Sequence, residues 1–112
     1  MKKKLFYEHL VTIDSLIVEM NRLELTEDEK SHLIEIAASS IHYSILDTAL
    51  SNLSSENKKT FMMHVNSNNH DEAWSFLSAN AKDIDKKIKQ KAEQLKEEFK
   101  KDILELKNKQ NS

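Results

Sequence analysis

The chain has 112 residues, a formal net charge of -2, and no cysteine, glycine or proline. That length holds one ordinary domain with a modest core and leaves no room for a separate catalytic domain. The missing residue types exclude disulfides, thiolate metal sites, cysteine nucleophiles and the glycine-rich loops that bring backbone close to a phosphate.

With neither glycine nor proline, turns must be made by Asn, Asp and Ser, and the rest of the chain reads as helix. The expected fold is all-α, a small four- or five-helix bundle with a long amphipathic C-terminal helix. Residues 1–112 form a single helical domain in this reading, with a core over about 4–82 and the last helix over about 83–108. The near-neutral charge gives no global field to recruit nucleic acid or an anionic membrane. Met1-Lys2-Lys3-Lys4 before Leu5-Phe6-Tyr7 looks like the opening of a signal peptide, but Glu8, His9 and Asp14 interrupt any apolar segment. No stretch approaches the roughly 20 apolar residues of a membrane span. A cytoplasmic location follows as the expectation.

Residues 4–22 carry Phe6, Leu10, Ile13, Ile17 and Met20 at helical spacing, which predicts a first helix. The β-branched cluster Val11-Thr12-Ile13 leaves open a break there, with Thr12 or Asp14 capping a second piece. Thr26 followed by Glu29 is a capping-box pair, and Glu27, Asp28 and Glu29 suit the positive end of a helix dipole. They open a central helix over 26–53 with two apolar stripes. Ile34, Ala37, Ala38, Ile41, Ile45 and Ala49 make one; Leu33, Ile36, Tyr43, Leu46, Leu50 and Leu53 make the other. Two stripes predict packing on two sides. Glu35, Ser39, His42 and Asp47 are left as a narrow wet edge.

Ser54 to Asn57 offers a new N-cap, and Phe61, Met62 and Val65 give the apolar face of a short helix over about 55–65. Asn66-Ser67-Asn68-Asn69 predicts a turn, because Asn satisfies backbone groups locally and tolerates left-handed backbone. Asn69 and Glu72 have capping-box spacing ahead of a fourth helix over about 70–79, which carries Ala73, Trp74 and Leu77 with Phe76 on its flank. Asp83 is the expected cap of the last helix. There Ile88, Ala92, Leu95 and Phe99 recur at heptad spacing, and the register slips past Asp102 to Ile103 and Leu106. Asp83–Lys87, Asp85–Lys89, Glu97–Lys101 and Glu105–Lys109 are favourable i,i+4 pairs.

The order of these features resembles a family of small, uncharacterised all-helical proteins from uncultured bacterial lineages. The resemblance covers roughly residues 20–105. It rests on Leu25-Thr26-Glu27-Asp28-Glu29-Lys30 opening a long helix, then Leu53-Ser54, Phe61-Met62, Phe76-Leu77, and Asp83-Ile84 before a Lys- and Glu-rich helix around Leu95 and Phe99. Members often carry a proline before the last helix, where this chain has Asn80-Ala81-Lys82. The resemblance implies an all-α fold and supplies no catalytic residue.

No enzyme, cofactor, metal or small-molecule substrate is expected. His64, His70 and Asp71 flank the Asn-rich turn and are the residues that would converge on a metal, but they lack the paired spacing and supported third ligand of a zinc site. Glu35 and His42 share an edge nearly two turns apart, too far for a hydrogen bond, and Ser39-Ser40 has no nucleophile signature. Trp74 and Phe76 read as buried rather than as partner anchors. The expected activity is protein interaction, with another protein or with itself, through an apolar stripe that runs past the globular body: Ile88, Leu95, Phe99, Ile103 and Leu106. The alternative is a nucleic-acid- or ribosome-associated accessory protein using Lys86, Lys87 and Lys89. Against it, residues 83–112 interleave 7 acids among 9 lysines, with Phe99 the sole aromatic.

Overall fold

A computed structural model describes residues 5–110, with side chains as far as Glu105. It is an all-α bundle of five helices, with no strand among the described residues. In chain order these are α1 (Asp14–Met20), α2 (Glu27–Ser51), α3 (Ser55–Asn66), α4 (His70–Asn80) and α5 (Ile84–Gln110).

The N-terminal helix is broken. Residues 6–10 form a turn in which the Leu10 and Val11 amides donate to the Tyr7 carbonyl at 2.9 and 3.3 Å, and α1 begins only at Asp14. Val11, Thr12 and Ile13 lie between, where β-branched side chains lose rotamer freedom in a helix. The break lets Phe6, Tyr7, Val11 and Leu16 all reach the core. The cap position is Ile13, with no side-chain hydrogen bond, so neither Thr12 nor Asp14 fills the capping role.

α2 starts as its sequence dictates. The Glu29 amide donates to Thr26 Oγ1 at 3.1 Å, and the Thr26 amide donates to Glu29 Oε1 at 3.0 Å. This capping box satisfies two amides that the first turn leaves open. Of the first stripe, Ala37, Ile41, Ile45 and Ala49 are buried, and Ile34 and Ala38 are half-buried. The second stripe is not the buried face the periodicity predicts. Leu53 is buried and Leu33, Leu46 and Leu50 are half-buried against the core, whereas Ile36 and Tyr43 stand exposed. Apolar spacing fixes which residues share a face; a neighbouring element decides whether that face is covered.

α5 packs along α2, and also against α1 and α4, while α3 and α4 pair with each other. The small Ala37 and Ala49 of α2 and Ala92 of α5 are all buried, which favours close approach of helix axes. Asn52, the C-cap of α2, ties the two long helices: its side-chain amide donates to the Thr48 carbonyl at 2.7 Å, and its oxygen accepts from Lys87 Nζ at 2.7 Å.

Ser54 caps α3 by accepting the Asn57 amide. Asn68 takes φ 61° in the following turn, the left-handed conformation expected of that Asn-rich stretch. Asn69 precedes α4 without a side-chain cap, so the Asn69–Glu72 box does not form. Glu72 turns instead to His64 Nδ1 at 3.6 Å. Asp83 enters α5 at φ 54°, and its carbonyl accepts the Lys87 amide. Among the described residues the ion pairs of α5 are Glu93–Lys96 and Glu97–Lys100, at i,i+3 spacing rather than i,i+4. Glu105–Lys109 lies outside the described side chains.

Candidate functional site

The seam of α5 is spent inside the bundle. Ile88 and Ile103 are buried at 0% and 5% exposure, and Leu95 and Phe99 pack half-buried against the core. The expected open stripe therefore does not exist at these residues, because α5 lies along α2 instead of projecting past the body. The Leu106 side chain lies outside the described ones. Lys96 joins the buried side at 9% exposure, its stem covered and its amine held by Glu93 at 3.3 Å. Lys86, Lys87 and Lys89 are exposed at the start of α5, and Lys87 is already engaged by Asn52.

The histidines do not converge. No group of three His, Cys, Asp or Glu side chains among the described residues is arranged to hold a metal ion. His64 faces Glu72 and the Phe76 ring, Asp71 is exposed, and His70, which lines a separate cleft, has a buried Nδ1 without a hydrogen-bond partner among the described residues. His9 meets the edge of Trp74 at 4.6 Å between ring centroids, so the single tryptophan is half-covered by the N-terminal turn. Phe76 is half-buried as well.

That cleft, about 550 Å³, lies between the N-terminal turn, α2, α3 and the start of α4. On its wall the Tyr7 hydroxyl meets His42 Nδ1 at 2.7 Å. Burial pushes the Tyr7 phenol up to about 12, so its proton stays on oxygen at ordinary pH. Phe6 packs edge-on against both Tyr7 and Phe61, which fixes the phenol. The dyad is thus a tie between the N-terminal turn and α2. His42 leaves the wet edge on which its spacing placed it, and it shares no site with Glu35.

No family model, no curated protein and no solved structure matches the chain. Function must therefore be read from its own surface.

The outer face of α2 is the surface that stands out. Ile36 is 45% and Tyr43 69% exposed, two helical turns apart on the same side. Beside them runs a groove of about 420 Å³ lined by His32, Glu35, Ser39 and Ser40. Apolar spacing alone predicts both residues in a buried stripe. Their fate was set by α3, α4 and α5 packing elsewhere, which periodicity does not encode. Val18, Met63 and Leu104 are also exposed, each on a different helix. Among the described residues, no helix is long and apolar enough to cross a membrane.

Proposed function

We propose that the chain is a non-enzymatic, cytoplasmic protein-interaction module whose binding surface is the outer face of α2. One observation carries this reading: the exposed pair Ile36 and Tyr43, with a groove alongside, on the helix that also carries much of the core. An aromatic anchor next to a concavity is the usual seat of binding energy at a protein interface. The polar rim of His32, Glu35, Ser39 and Ser40 supplies hydrogen-bonding groups around it.

The test immobilises the full chain and its Ile36→Glu and Tyr43→Glu variants, with helix content matched by circular dichroism, against extract of its own cells. The wild-type chain retains a defined protein that both variants lose. The same proteins retained by all three chains would overturn the reading. RNA retained instead, with steep salt dependence and loss on Lys86→Glu with Lys89→Glu, would replace it with the nucleic-acid alternative.

A further inference from the structure

The outer face of α2 is nearly symmetric about its own centre. Take the midpoint between Ser39 and Ser40. Ile36 and Tyr43 stand equally far from it in opposite directions, and so do His32 and Asp47, a base and an acid. At about 100° per residue Ile36 and Tyr43 fall on the centre line of this face, with His32 and Asp47 close beside it and the two serines flanking it. All six residues are exposed, and they lie on the side of α2 away from Ile41 and Ile45, which are fully buried.

From this arrangement we infer that the partner of the α2 face is a second copy of the same chain, packed antiparallel across a two-fold axis between Ser39 and Ser40. The inference rests on the proposed interaction face and specifies what occupies it. A two-fold interface requires a patch complementary to itself, and this stripe meets that condition residue by residue. Antiparallel pairing brings Ile36 level with Tyr43 of the second copy, and His32 level with Asp47. Each Tyr43 ring arrives at the groove beside Ile36, which His32, Glu35 and Ser39 border. The serines at the axis are small enough for the two helices to approach closely. A parallel pairing would set Asp47 against Asp47. The charge pattern therefore selects the antiparallel direction, since like charges across an interface are repulsive.

The test uses the full chain in sedimentation equilibrium, with three sets of variants. Wild type forms a dimer, and Tyr43→Glu raises its dissociation constant by at least about tenfold, the equivalent of roughly 1.4 kcal/mol. His32→Glu weakens the dimer, and adding Asp47→Lys restores it, which tests the register and not merely the surface. The chain has no cysteine, so Ser40→Cys introduces a sole thiol beside the axis. It forms a disulfide-linked dimer on mild oxidation, whereas Met63→Cys does not. A chain that stays monomeric at millimolar concentration, with no Ser40→Cys cross-link, overturns the self-pairing. If Tyr43→Glu then still removes a different bound protein, the interaction face itself stands. A dimer indifferent to Tyr43→Glu, with no cross-link through Ser40→Cys, overturns the self-pairing through α2.

Discussion

The Tyr7 hydroxyl and the His42 Nδ1 lie 2.7 Å apart across 35 residues of sequence. This contact joins an irregular N-terminal turn to the middle of the central helix. It does so with a buried phenol that keeps its proton to about pH 12. Tyr7→Phe should cost about 1 kcal/mol at neutral pH, the usual net value of one such bond.

The same phenol makes the cost depend on pH. Its folded value is raised from 10.0 to about 12, so its contribution is fully present below pH 10 and is lost as pH rises towards 12. The stability gap between wild type and Tyr7→Phe should therefore narrow across that window. Urea denaturation of both chains at several alkaline pH values checks it, and a gap constant with pH would contradict it.

The capping box makes a prediction at the acid end. The Thr26 amide, and then the Thr26 side chain, hold the Glu29 carboxyl below its ordinary value. A lowered carboxyl contributes stability above its unfolded value and loses it as pH falls through the folded one. Thr26→Ala should cost about 1 kcal/mol at neutral pH. Glu29→Gln, which removes that carboxylate, should be less stable than wild type at neutral pH, and the difference should shrink in acid, as read from thermal melts at neutral and acidic pH.

How much of this was legible depended on distance along the chain. The Thr26–Glu29 box, the Ser54 cap and the left-handed Asn68 are local events among three or four neighbours, and the residue types announce them. The break at Val11 to Ile13 stood as an open alternative for the same local reason. What tertiary packing decides was not legible. Ile36 and Tyr43 have the same apolar spacing as the buried stripe, and only the placement of the other helices leaves them wet. The Ile88–Ile103 seam was readable as a face, but not as a face consumed by α2. Asn69 and Glu72 have box spacing, yet His64 offers Glu72 another partner. The Tyr7–His42 tie spans two elements and leaves no periodic trace.

Among the described residues, Asn68 and Asp83 occupy left-handed backbone without being glycine. At Asp83, φ 54° would crowd a β-branched side chain against its own backbone. Asp83→Val should destabilise by about 1–2 kcal/mol, while Asp83→Gly is tolerated. Denaturant midpoints of the two variants give the comparison.

Phe61 is fully buried and meets Phe6 edge-on at 5.1 Å between ring centroids. Phe61→Ala should cost about 3–5 kcal/mol. It should also loosen the N-terminal turn, visible as faster amide exchange at Leu10 and Val11, whose bonds to Tyr7 close that turn.

The pairing of α2 with α5 has a bearing on how the protein is born. The stripe carrying Ile41 and Ile45 leaves the ribosome before Ile84, Ile88 and Ile103 do. Until those arrive, the nascent polypeptide holds an oily helix without its main packing partner, open to any chaperone that meets it. A message cut short before α5 would yield a product that cellular quality control can recognise by that bare stripe alone.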